Sequence, residues 1–217
     1  MSDAIKVDIW SDIACPWCYI GKRKFEAGVA EFGGDVDVEY HSYELAPDTP
    51  EEVEGTALGR FVDRKGVPLE QALEMINRVT DIAAQVGLDY DYDSLKPTNT
   101  VRAHELLHYA KAHDRQSEMK ERLLSAYFIE GRHVGRIDDL ADLAADIGLD
   151  RNDVFRALTA REYLPAVQGD KELATEYGIQ GVPFFVIDGK YGISGAQEAS
   201  TFAAALQQVR DEAVVPS

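Results

Sequence analysis

The sequence predicts an α/β fold in which one sheet layer is interrupted along the chain by an all-helical block. Three observations carry this. The first 45 residues alternate strand, helix and strand patterns, the strand signal vanishes from Thr56 to about Tyr177, and strands return at "GVPFFVIDGKYGIS", Gly181 to Ser194. Alternating β and α elements at both ends imply a single sheet with helices laid on it, rather than two consecutive domains.

The elements follow in order. Ile5, Val7 and Ile9 alternate with polar residues before Trp10, a short strand pattern. Phe25, Val29 and Phe32 fall on one helix face, and Gly33-Gly34 ends that helix. Val36, Val38 and Tyr40 spell a second strand running to about Tyr43. Pro68 opens a helix with Leu69, Leu73, Ile76, Val79, Ala83 and Val86 along one side, closed by Gly87. Val101, Leu106, Leu107 and Ala110 mark another helix, and Ser117 to Gly131 a third. Ile137 to Gly148 is expected to be capped by Asp138, and a further helix begins from Asp150 or Asn152, making four or five in the block. Phe184 to Ile187 is an apolar strand, Asp188-Gly189 signals a two-residue hairpin, and Tyr191 to Ser194 pairs back. Gln197 to Arg210 closes the fold as a helix bearing Phe202, Leu206 and Val209, with a frayed tail "DEAVVPS".

Bulk properties exclude some functions. With 217 residues, 45% hydrophobic and 28% charged, the chain can bury a core without a disulfide framework. A net charge of −17 repels phosphate backbones and anionic lipid, so no nucleic-acid or membrane partner is expected. "MSDAIKVDIW" has neither a basic nor an apolar signal region, and no apolar run approaches the ~18 residues of a membrane span. A cytoplasmic protein is expected. In a reducing compartment a close cysteine pair reacts or binds metal more readily than it forms a permanent staple.

Both cysteines lie in "SDIACPWCYIGK", where the first strand gives way to the first helix. Cys15 and Cys18, three apart on a first helical turn, share a face and can bridge without distortion. The helix N-terminus carries about half a positive charge and unpaired N–H groups, which favour a thiolate at Cys15. In such motifs the thiol pKa falls from ~8.5 into the range ~3.5–7.5. Cys15 is therefore expected as the exposed attacking thiol and Cys18 as the resolving one. Pro16 suits the first turn, where its missing N–H is not needed. A structural zinc site needs about four ligands, the chain has no third cysteine, and nothing places His104 and His108 beside the pair, so no metal is expected. Pro183 heads an apolar strand and reads from the residues as an edge-strand proline.

"CPWC" after a first strand, the long helical stretch, "NTVRAH" at Asn99 to His104 and "GVPFFVIDGKYGISGAQ" together resemble the DsbA-like thioredoxin-fold oxidoreductases, and among them the FrnE-type branch. The resemblance runs from Ile5 to about Val209. It implies a thioredoxin-like domain of residues 1–50 and 166–217 interrupted by a helical domain of residues 51–165. It further implies a cis Val182–Pro183 peptide facing Cys15 and Cys18, with substrate contacts from Pro16, Trp17, Val182 and Pro183. The implied activity is thiol–disulfide exchange on cysteine-containing proteins, as oxidase, reductase or isomerase. No tightly bound cofactor is implied; glutathione or another thiol would serve as electron partner, and the protein would be a monomer or a dimer. Trp17 stands where periplasmic DsbA proteins usually have histidine, so their strongly oxidising character is not carried over. Nor does the chain have the additional cysteine pair of some FrnE-type proteins.

Two rival readings share the architecture. Kappa-class glutathione transferases and 2-hydroxychromene-2-carboxylate isomerases use a serine at the first active position, where this chain has Cys15. A non-enzymatic holdase would use a groove of the helical block, for which no motif speaks. Lys22, Arg23 and Lys24 read as a solvated face about 10 Å along the helix from Cys15. Asp12 reads as a turn or cap residue rather than a proton relay, His104 as helix packing rather than a catalyst, Trp17 as partly exposed, and Glu44 as no buried proton acceptor.

Overall fold

β1 (Ile5–Ser11) is an inner strand of the sheet. It pairs in parallel with β2 (Val36–Ser42) and antiparallel with β3 (Phe184–Ile187), which pairs antiparallel with β4 (Tyr191–Ser194), giving the order β2-β1-β3-β4. The computed structural model describes residues 4–214. The parallel pair requires a crossover, supplied by α1 (Pro16–Phe32). Ile9 stands level with Tyr40 on one side and Phe185 on the other. α9 (Ala199–Val214) lies along α1. That approach requires Gly28, since a Cβ there would lie 2.6 Å from the Ala199 carbonyl oxygen. Val7, Ile9, Phe25, Phe185, Phe202 and Leu206 form the core between sheet and helices. The ring of Phe185 meets Phe202 edge-on at 4.6 Å and Phe25 at 5.4 Å.

The block between β2 and β3 contains α2 (Ala57–Lys65), α3 (Leu69–Gln85), α4 (Val101–Lys111), α5 (Gln116–Phe128), α6 (Ile137–Asp146), α7 (Arg151–Thr159) and α8 (Leu164–Glu176). Its apolar cluster is built mainly from α4 to α7 and also takes in Ile13, Tyr19 and Ile20 from the segment around the cysteines. A buried polar knot joins the block to the sheet. Asp170 of α8 accepts from the Ser42 N–H at 2.7 Å, from His41 Nδ1 at 2.7 Å and from His108 Nε2 at 2.9 Å. His41 Nε2 reaches Asp8 at 2.9 Å, and the His41 ring stacks on Trp10 at 4.4 Å. Among the described residues no helix is long and apolar enough to cross a membrane.

Several expectations need correction. α2 is a helix that periodicity missed: it buries no residue fully, and local signals define it, the Thr56 hydroxyl accepting from Gly59 N–H and Gly66 ending it at φ 62°. Arg136 occupies the cap position of α6, which puts Asp138 inside the first turn, where its charge still suits the helix dipole. In the hairpin, Asp188 and Gly189 both have positive φ and Lys190 N–H donates to the Ile187 carbonyl, but Ile187 pairs with Tyr191, so three residues connect the strands. α9 continues past Arg210 to Val214, so most of the tail is helical; residues 215–217 lie outside the described residues.

Candidate active site

Cys15 is the N-cap of α1, with extended backbone (φ −98°, ψ 112°), and Pro16 follows at the first helical position. Its Sγ lies 3.7 Å from the carbonyl oxygen of Val182, at the cis Val182–Pro183 peptide. Of the residues expected at the substrate face, Val182 approaches the Cys15 sulfur through its carbonyl, while Trp17 has 40% of its surface exposed. The close approach of α1 to Pro183 depends on Gly21, where a Cβ would come within 2.9 Å of the proline ring. On the other side, Tyr90 donates its hydroxyl to the Pro16 carbonyl at 2.7 Å, closing over the first turn.

This enclosure overturns the expected exposure of Cys15. Cys15 is 3% and Cys18 2% accessible, because the Val182–Pro183 turn and the α3–α4 connection cover the pair. Both are free thiols. A hydrogen bond from its thiol to Cys18, together with burial and the Asp12 charge, pushes Cys15 up. Burial opposes ionisation of Cys18 too, yet that hydrogen bond and the Lys120 ammonium outweigh it and bring Cys18 down.

The buried groups around the pair come from four elements. Asp12, immediately after β1, accepts from Leu45 N–H and the Thr100 hydroxyl, each at 2.8 Å, and lies 3.3 Å from His104 Nε2. Burial pushes its carboxyl up, but His104, Leu45 and Thr100 hold it below the usual range. Asp12 is therefore a buried anion linking the cysteine loop to the β2 exit and the start of α4. His104 packs as expected and also serves as its partner. Lys120, on α5, is 1% exposed, lies 5.7 Å above the Tyr40 ring, and its Nζ has no hydrogen-bond partner among the described residues. Burial lowers its pKa to about 8 against the pull of Cys18, Asp12 and Cys15. Lys120 was missed from sequence, though a signal existed: in "KERLLSAY" it shares a stripe with Leu123, Leu124 and Tyr127 at helical spacing.

Other expectations fare differently. Lys22 is buried rather than solvated, held by Glu26 at 2.5 Å and Glu121 at 2.6 Å, because α5 packs its acid over α1. Arg23 joins the same Glu121, while Lys24 pairs with Glu198. The Glu44 side chain is buried and bound to Lys171 at 2.8 Å, so it is occupied by an ion pair. His104 and His108 do not converge on the cysteines: His108 bonds Ser42 and Asp170. Among the described residues, Asp8, Glu39 and His41 are the one group of metal-ligand types within reach of each other. Lys6 and Lys111 already pair with those carboxylates.

A model of the DSBA-like thioredoxin domain matches residues 6–207. YwbO, an uncharacterized protein of Bacillus subtilis (strain 168), is 30% identical over 204 residues, covering 93% of this chain and 96% of its own. The crystal structure of a probable DsbA oxidoreductase from Streptomyces coelicolor superposes with a TM-score of 0.90 at 37% identity, over 98% of this chain and 92% of that one. The cytosolic disulfide reductase DsbM of Pseudomonas aeruginosa, solved also with GSH, superposes at 0.66 with 20% identity over 94% of this chain and 98% of that one, a likeness of fold. A cysteine pair at a strand-to-helix turn, faced by a cis-proline strand and walled by inserted helices, is thus set in a chain that belongs to the DsbA-like thioredoxin-domain family.

Proposed function

We propose that this protein is a thiol–disulfide oxidoreductase acting on protein cysteines, with Cys15 as nucleophile and Cys18 as resolving thiol. One observation carries the reading: the Cys15 sulfur lies 3.7 Å from the Val182 carbonyl, beside the backbone on which an extended substrate strand would pair. In the reducing direction Cys15 attacks one sulfur of the substrate disulfide and one substrate thiolate leaves. Cys18 then attacks Cys15, the second substrate thiolate leaves, and the Cys15–Cys18 disulfide remains. A small thiol returns the pair to its reduced form. Glutathione is the partner we favour, on the strength of the GSH complex of the similarly folded DsbM. The FrnE-type placement and a cytoplasmic location belong to the same proposal, supported by the motifs and by Trp17 in place of histidine.

Insulin reduction with dithiothreitol tests it. Turnover should be lost in Cys15→Ser, and Cys18→Ser should accumulate mixed disulfides with client proteins. Unchanged turnover in Cys15→Ser would refute the assignment. The isomerase alternative requires a serine nucleophile position, and Cys15 occupies it.

A further inference from the structure

Tyr90 reaches the dithiol turn from the helical block and touches one peptide group there. Its hydroxyl donates to the Pro16 carbonyl at 2.7 Å. The ring stacks on Phe128 of α5 at 4.7 Å and on Tyr19 of α1 at 6.2 Å, and meets Tyr92 edge-on at 6.1 Å. The Asp91 N–H donates to the Phe128 carbonyl at 2.8 Å, which ties the neighbouring backbone to the same helix. Burial pushes the Tyr90 phenol up, so a fixed hydroxyl keeps its proton and donates in one direction. The other end of the Pro16 peptide group is the Trp17 N–H. Cys15 is the N-cap, so Trp17 stands at the second helical position, whose N–H is a donor to the cap side chain. Pro16 has no N–H, and the Cys18 N–H is committed to the Cys15 carbonyl at 3.0 Å. The Trp17 N–H has no acceptor among the described residues.

As a thiol, Cys15 donates to the Val182 carbonyl at 3.7 Å and makes no cap hydrogen bond. As a thiolate it has no proton to donate, and it needs an N–H instead. We propose that Tyr90 is a positioning residue for the Cys15 thiolate: its hydroxyl polarises the Pro16–Trp17 peptide group and so strengthens the Trp17 N–H as donor to the ionised N-cap sulfur. This rests on the oxidoreductase reading and deepens it, because the donor comes from the helical block. Hydrogen bonds in a chain strengthen one another by ~10–30%, and a bond to the charged form of a group favours that form. The step balances. Cys15 gives its proton to solvent; the thiolate bonds to one substrate sulfur, the substrate S–S bond breaks, and the other substrate sulfur leaves as a thiolate. Tyr90 keeps its proton throughout. The other titratable groups that act on Cys15 are Cys18 on α1, Asp12 after β1, Tyr92 in the α3–α4 connection and Lys120 on α5. Among the described side chains, Tyr90 is the one bonded to the Pro16–Trp17 peptide group.

The reaction of Cys15 with a small disulfide such as dithiodipyridine, followed against pH in Cys18→Ala protein, tests this through the inflection of the rate profile. Adding Tyr90→Phe keeps the ring and removes the donor. The inflection should rise by about half a pH unit, leaving about threefold less thiolate at any pH well below it. A more basic thiolate is also a better nucleophile, with a Brønsted slope of ~0.4–0.5. Tyr90→Phe should therefore react about twofold more slowly below the inflection and about 1.5–2-fold faster above it. A mere change of access to the buried sulfur would scale the rate equally at every pH and leave the inflection in place. Tyr92→Phe, which removes a neighbouring phenol not bonded to Pro16, should also leave it in place. Site-specific 3-fluorotyrosine at position 90, a stronger donor of nearly the same shape, should move it down. An inflection indifferent to Tyr90→Phe, or moved as far by Tyr92→Phe, would overturn the proposal. Should Tyr90→Phe fail to fold by circular dichroism, the fluorotyrosine protein decides alone, and an unmoved or raised inflection there overturns the proposal. Lack of insulin reduction in native protein would refute the oxidoreductase reading instead, with the inflection comparison unaffected.

Discussion

Asp170 offers the sharpest test of how the helical block is held to the sheet. Asp170→Asn keeps the shape of the side chain but replaces one acceptor oxygen with an NH2 that meets donors from Ser42, His41 or His108. The carboxylate is 10% exposed, so solvent replaces little of what is lost. Breaking one partner out of such a buried charged cluster costs about 3–5 kcal/mol. With a urea m-value of about 2–3 kcal/mol/M, the unfolding midpoint should fall by about 1–2.5 M. The pH dependence has a definite sign. Burial would raise the Asp170 carboxyl, but His108 and His41 hold it far below its ordinary value. Its contribution is therefore present above ~4, the unfolded value, and is lost as pH falls towards the folded one. Burial would lower His41, but Asp170 and Asp8 raise it. That contribution is complete below ~6.5 and is lost as pH rises through the raised folded value. The knot should thus stabilise most between about pH 4 and 6.5, and Asp170→Asn should flatten both limbs. A loss under about 1 kcal/mol, or a pH profile identical to that of the native protein, would refute the reasoning.

Three further outcomes are expected. Gly21→Ala should cost about 1–3 kcal/mol, read as a lower Tm, and slow insulin reduction, because its methyl group would strike the Pro183 ring. Trp17→Ala should cost less than the ~3–5 kcal/mol of truncating a fully buried tryptophan, since 40% of the residue is exposed. It should slow reduction of a protein disulfide more than that of a small disulfide, and equal losses on both would argue against a substrate-contact role. Phe185→Ala should cost about 3–5 kcal/mol in chemical denaturation by emptying the space between Phe25 and Phe202.

The sheet was legible because its strands obey strong local rules: Ile5 to Trp10 alternates, Gly33 stops α1 in a left-handed cap, and Phe184 to Ile187 is apolar throughout. Five helices of the block, α3 to α7, were legible by their apolar stripes; α2 buries nothing fully and α8 buries only Val167, Asp170 and Ala174, so neither shows a strong stripe. At the site, the spacing of Cys15 and Cys18 placed both sulfurs on one turn, but their enclosure was not readable. It comes from Val182, 167 positions from Cys15, and Tyr90, 74 from Pro16, and separations of that length carry no local signal. Lys22 misled for the same reason: its partner Glu121 is 99 positions away. Lys120 was the opposite case: its stripe position was visible in the sequence, while its place over the Tyr40 ring depended on a strand far away in the chain.

α1 gives Phe25 and Phe32 to the core of the sheet and Tyr19 and Ile20 to the core of the helices. A shortened chain that spliced the strand-bearing ends together would therefore not be a smaller version of the same catalyst. It would lay Tyr19 and Ile20 bare on the helix that carries the dithiol, strip Glu121 from Lys22 and Arg23, and delete Lys120. The sulfur pair would face water on the side now walled by protein. In engineering terms the helical block behaves as half of the mould in which the dithiol is set, and efforts to minimise or transplant this redox centre have to carry both halves.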